Sequence, residues 1–138
     1  MSFELHPRLR AGTIPIGSRD GCRVLLKNNK NFPWVLIVPE VSEEIEDLHQ
    51  LSEESYVKVM QLVREASACV SAHFACDKLN VGCIGNQVRQ MHIHIVGRFE
   101  KDAVWPRTVW TDIPKEPYSD NDIGYIVAEF IYELGLIS

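Results

Sequence analysis

Gln90-Met91-His92-Ile93-His94-Ile95-Val96 alternates residue by residue between polar and apolar side chains up to its last position. On a β-strand successive side chains point to opposite faces. The spacing therefore predicts a strand over 90–99, with Met91, Ile93 and Ile95 facing a core and Gln90, His92 and His94 facing away from it. An outer strand face ordinarily carries Lys, Glu, Thr or Ser. Two imidazoles one pleat apart, roughly 6.5–7 Å along the strand, are a rarer choice. Imidazole titrates near neutral pH, so the pair can bind a metal, hold a phosphate, or supply a nucleophile and its helper.

Upstream, Arg23-Val24-Leu25-Leu26-Lys27 follows the turn signal Arg19-Asp20-Gly21 and reads as a strand. After the polar turn Asn28-Asn29-Lys30-Asn31, the run Trp34-Val35-Leu36-Ile37-Val38 between Pro33 and Pro39 suits a central strand. The two form a hairpin. A short helix is expected over 42–49, with Glu43, Glu44 and Glu46 near its N-terminus. A longer helix starts after Ser52, a good N-cap, and carries Tyr56, Val59, Met60, Val63, Ala66, Val70 and Phe74 as one apolar stripe. A strand over 79–84 and a turn over 85–89 lead into the histidine strand. The stretch from Trp105-Pro106 to Pro117 is loop-like. A last helix opens at Ser119 with Asp122 in a capping-box-like pattern, buries Ile123, Ile126, Val127, Phe130, Ile131 and Leu134, and stops at Gly135. Antiparallel hairpins with helices on one face make an α+β domain.

The 138 residues contain no repeat, no low-complexity stretch and no linker, so a single domain over 1–138 is expected. With 46% hydrophobic and 24% charged residues the composition is that of a globular protein. Fourteen basic against nineteen acidic side chains give a net charge of −5, which argues against bulk nucleic-acid binding but not against a small phosphorylated ligand. Cys22, Cys69, Cys76 and Cys83 form no C-x-x-C pair, and Cys69 and Cys76 read as buried apolar residues of one helix. No signal core and no membrane-length apolar run is present, so a reduced, cytoplasmic location is expected.

Three chemistries compete at His92 and His94. One is a polar strand face without function. A second is a His-x-His metal site, which needs further ligands from His6, His49, His73, a cysteine or a carboxylate; none has a suggestive spacing. The third is nucleophilic attack on phosphorus, in which a neutral imidazole nitrogen forms a phosphoramidate. The second histidine then donates to a non-bridging oxygen as charge develops there.

The stretch 90–96 resembles the signature of the histidine-triad (HIT) superfamily, His-φ-His-φ-His-φ-φ, with Gln90 in place of the first His. The hairpin 24–38, the long helix and the segment 79–87 occur in the order of HIT domains, so the resemblance covers about residues 18–100, with 101–138 as a C-terminal loop and helix. Phe32-Pro33-Trp34, Lys78-Leu79-Asn80-Val81-Gly82 and Trp105-Pro106…Val109-Trp110 are similar to a bacterial HIT branch whose triad also begins with Gln.

The resemblance implies an antiparallel sheet with helices on it and a homodimer joined through the sheets. It implies a nucleotide-binding phosphohydrolase or phosphoramidase acting on nucleoside phosphoramidates or dinucleoside polyphosphates. It also implies His92 as the nucleophile on the α-phosphate and His94 as the phosphate contact that positions it. Gln90 keeps a donor and an acceptor but cannot become cationic. A HIT module that binds purine nucleotides with little or no turnover is the alternative. Asn28 lies near the family's ribose-binding position, with Asn29 as a substitute, and Asn80, Asn86 and Gln87 match the polar segment that meets phosphate oxygens, where Gly82 and Gly85 allow close backbone approach. No metal is required at the nucleophile, although Mg²⁺ can accompany a polyphosphate substrate. Arg89, Arg98 and Arg107 are candidate polyphosphate contacts, Arg89 weakened because it alternates away from the histidines. Trp105 and Trp110 are candidates for stacking on a base, for a dimer contact or for packing.

Overall fold

A computed structural model describes residues 2–138. Its elements are α1 (Pro7–Ala11), β1 (Thr13–Arg19), β2 (Cys22–Lys27), β3 (Trp34–Pro39), α2 (Glu53–Phe74), β4 (Lys78–Gly82), β5 (Ile93–Arg98) and α3 (Asp120–Leu134). The strands form one antiparallel sheet in the order β1-β2-β3-β5-β4. The α+β expectation, with antiparallel strands and long helices on one face, is met.

The continuous apolar run of β3 has a direct cause: both faces of the sheet are covered. On one side Val24, Leu26, Val35, Ile37, Met91, Ile93 and Ile95 pack with Val59, Leu62, Val63, Ala66 and Val70 of α2 and Ile126, Phe130 and Leu134 of α3. On the other side Leu25, Trp34, Leu36, Val38 and Val96 pack with Leu5 and Leu9 from the N-terminal segment and Val104 and Val109 from the long loop. Among the described residues no helix is long and apolar enough to cross a membrane.

Both long helices are capped as their sequences indicate. Ser52 accepts a hydrogen bond from the Ser55 amide, Ser119 from that of Asp122, and Gly135 closes α3 in the left-handed region at φ 62°. The α2 stripe shifts slightly from expectation. Leu62 is fully buried, whereas Tyr56 at its N-terminal end is exposed.

Several element boundaries differ from the sequence-based ones. No helix spans 42–49; only a 3₁₀ turn at Leu48–Gln50 forms. The Gln50 amide explains this, because its oxygen accepts from the Glu46 and Asp47 amides and its nitrogen donates to the Glu44 carbonyl. Backbone groups that a helix would have paired are satisfied locally. Strand β4 ends at Gly82, two residues before the expected end at Ile84. Cys76 lies beyond α2, whose C-cap Ala75 adopts φ 53°. The Cys76 sulfur, with Pro33, occupies the space that a side chain at Gly97 would need. Helix α1 and strand β1 had no counterpart in the sequence reading.

Candidate active site

The alternation of 90–96 holds in its facing, although the ladder of β5 begins only at Ile93. Met91, Ile93 and Ile95 lie in the helix-side core, and His92 and His94 are buried on the opposite side, 5% and 9% exposed. Their rings stand 4.8 Å apart between centroids at 72°. Gln90 and His92 fall outside the strand because they bond elsewhere. The Gln90 carbonyl lies 2.7 Å from His92 Nδ1, and the Gln90 side-chain oxygen accepts from the His6 amide at 2.8 Å. Its nitrogen donates to the Glu4 carbonyl, also at 2.8 Å.

These partners assign the tautomers. A carbonyl only accepts, so His92 Nδ1 carries the proton and Nε2 keeps its lone pair. The reverse holds at His94, where Trp34 Nε1–H donates to Nδ1 at 3.0 Å and leaves the proton on Nε2. One imidazole thus offers a nucleophilic nitrogen, and its neighbour offers an N–H donor. Burial keeps both uncharged. It lowers His94 from its ordinary 6.5 to about 3, with His92 and Lys27 acting in the same direction. Burial also lowers His92, opposed by the bond to the Gln90 carbonyl and helped by the nearby Lys27 ammonium.

Trp110 stands on the far side of His94 at 5.5 Å between ring centroids. It packs over Gly82, where a Cβ would come within 3.4 Å of the indole. Its Nε1–H is buried and without a hydrogen-bond partner. Gly82 pairs directly with His94 across β4 and β5, and the space a side chain there would take is bordered by Ile84 as well as the indole.

The remaining sequence candidates divide. Asn28 accepts from the Tyr118 amide with its side-chain oxygen, which leaves its NH₂ group free. Asn29 is 1% exposed and committed to the Pro114 carbonyl, Asn31 and the Glu116 amide, so it holds the loop and does not replace Asn28. Asn80 accepts from Arg98. Arg98 is itself 1% exposed, paired with Asp102 at 2.8 Å and bonded to the Arg107 carbonyl, so it braces the loop and does not face a ligand. Arg89 pairs with Glu46 on the surface. Gln87 accepts from Arg8; Asn86 and Arg107 are exposed. Trp105 is stacked by the Arg98 guanidinium. Among the described residues no group of three or more His, Cys, Asp or Glu side chains gathers as metal ligands.

Sequence reasoning missed Lys27 and Trp34 at this site. Trp34 sat in an all-apolar run, where periodicity carries no facing information. Its signal was the indole N–H, which needs an acceptor when buried.

The HIT domain family model matches residues 11–101. The chain belongs to the HIT family. The histidine triad protein of Bradyrhizobium japonicum is 30% identical and superposes with a TM-score of 0.92, covering 97% of this chain and 99% of its own. That of Marinobacter aquaeolei VT8 is 34% identical with a TM-score of 0.90, covering 96% of each chain. That of Sinorhizobium meliloti is 29% identical, also with a TM-score of 0.90, covering 96% of this chain and 97% of its own. No curated protein matches. The family match begins at residue 11 and so takes in β1, which lies largely outside the stretch 18–100 that suggested the family in sequence.

Proposed function

We propose that this HIT protein is a nucleotide-binding phosphohydrolase or phosphoramidase that works through a nucleotide covalently held on His92. The observation that carries the reading is the opposed tautomers of two adjacent, uncharged imidazoles. His92 Nε2 attacks the α-phosphorus of a nucleoside phosphoramidate or dinucleoside polyphosphate. The N–P bond forms, and the bond to the leaving group breaks with its electron pair, the leaving group taking a proton from solvent. Water then attacks the same phosphorus and gives up a proton to solvent as the P–O bond forms; the N–P bond breaks, the nucleoside monophosphate leaves and the lone pair returns to Nε2. His94 Nε2–H donates to a non-bridging oxygen in both steps. The free amide group of Asn28 serves the ribose, and Asn86 and Gln87 border the phosphates. We further assign the chain to the bacterial branch whose triad opens with Gln.

The test uses a fluorogenic adenosine phosphoramidate. Wild type is expected to release AMP, and His92→Ala to lose at least about three orders of magnitude, of the size seen when a nucleophile is removed. Rapid quenching should trap an adenylyl group on His92 by mass spectrometry. Equal rates in wild type and His92→Ala would overturn the enzyme reading. The Gln90 amide, bonded at both ends to backbone groups of the N-terminal segment, favours one second reading, a module that binds nucleotide without turnover. Tight AMP binding with no release of product identifies that case.

A further inference from the structure

Two uncharged histidines bring hydrogen bonds but no formal charge to a phosphate dianion, so any side-chain positive charge at the site comes from another residue. Lys27 is half-buried at the end of β2, on the same face of the sheet as the histidines. Leu25 pairs with Leu36, and Leu36 with His94, which fixes that facing for the residues two positions on. The Lys27 ammonium lies 5.5 Å from the centre of the Trp34 ring, whose N–H holds His94. The backbone of Gly12 closes on its other side, since a Cβ there would stand 3.2 Å from Nζ.

Among the described residues Lys27 has no carboxylate at ion-pair distance and no hydrogen-bond acceptor, whereas the other half-buried cations of β1 and β2 are paired, Arg19 with Glu65 at 2.9 Å and Arg23 with Glu40 at 3.7 Å. Burial lowers the Lys27 ammonium, helped by the charge of Lys115, and Lys27 in turn lowers His92 and His94; none of these three neighbours is acidic. A desolvated ammonium with only cationic and neutral neighbours lacks a counter-charge.

We infer that Lys27 is the anion-binding residue of the site, taking phosphoryl oxygens of the nucleotide beside His94, with Gly12 required to leave its ammonium room. The inference rests on the nucleotide reading and adds to it the residue that supplies charge. Lys115, exposed on the long loop, adds to the positive field without closing the seat. Because the protein is acidic overall, with net charge −5, a local unpaired cation also gives an anion its orientation on approach.

Calorimetry at pH 7.5 with AMP and with adenosine, on wild type, Lys27→Met and Lys27→Arg, tests this. Wild type should bind AMP more tightly than adenosine. Lys27→Met should lose about ten- to a hundredfold of AMP affinity, the loss expected for a charged hydrogen bond, and keep its adenosine affinity. Lys27→Arg should retain most of the AMP affinity. Separately, NMR titration of ligand-free Lys27→Met should show His92 and His94 protonating at higher pH than in wild type. Lys27→Gln serves in place of Lys27→Met if the latter fails to fold. Unchanged AMP affinity, or an equal loss for AMP and adenosine, overturns the assignment while leaving the nucleotide reading intact. A wild type that binds neither compound overturns the nucleotide reading, and the assignment with it.

Discussion

At Gln90 a single amide does two things at once: it accepts from the His6 N–H and donates to the Glu4 carbonyl. Its role is to fasten the N-terminal segment beside His92, and its own backbone carbonyl orients the His92 ring. Restoring a histidine there would lose at least one of those bonds. We expect Gln90→His to lower stability by about 1–2 kcal/mol and not to raise turnover. Thermal unfolding and steady-state kinetics measure both, and a faster Gln90→His enzyme would show that charge, not bracing, limits the rate. This was hidden in the sequence, where Gln90 stood only as a triad member exchanged. Its partners are more than eighty residues away and lie in a segment with no periodic pattern. His92 and His94 were legible because a two-residue period fixes facing. Their tautomers were not: that of His94 depends on Trp34, sixty residues away, and that of His92 on a local ring-to-carbonyl bond to Gln90 that residue types do not specify.

At the scale of elements, local signals read well wherever capping and periodicity agreed. Ser52 and Ser119 marked helix starts correctly. The segment 42–49 failed because acidic residues suited to a helix start compete with a glutamine that satisfies the same backbone groups. Asn80 and Arg98 looked like ligand contacts and are instead partners of each other. Composition cannot separate a polar residue facing phosphate from one facing another side chain. Ser52→Ala removes the cap of a 22-residue helix that covers the site from behind. It should cost about 1 kcal/mol, read by denaturant unfolding, with the AMP-releasing rate at ordinary temperature unchanged. A much larger cost would mean that Ser52 contributes beyond its cap.

For the whole molecule, the buried histidines make stability depend on pH. His94 has a folded pKa of about 3 against an ordinary 6.5. The unfolded chain therefore binds the proton more readily over that window. The contribution is fully present above about 6.5 and is lost as pH falls towards 3. Wild type should lose denaturant stability progressively through that range, and His94→Asn should lose less of it. Equal pH slopes for the two proteins would exclude His94 as the cause.

Assembly belongs to the same scale. The free β1 edge is partly covered by Ile137, which exchanges two backbone hydrogen bonds with Ser18. Among the described residues no strand pairs beyond β4, on which Val81 is 48% exposed, with Ile84 just past its end 41% exposed. We propose that two copies join their sheets along β4. Light scattering should then give a dimer for wild type and a shift towards monomer for Val81→Lys; a monomeric wild type would refute the arrangement.

The Arg98–Asp102 pair has a bearing on ligand entry. Arg98 bonds at once to Asn80 on β4, to Asp102 and to the carbonyl of Arg107, and the Asp102 carboxylate accepts in addition from the Phe99, Val104 and Trp105 amides. The start of the loop that carries Trp110 is therefore ordered when the chain folds. The conformational entropy of that wall is lost then, once, and is not subtracted again from the affinity of each ligand that arrives. A small molecule reaching His94 would meet a wall whose base is already ordered.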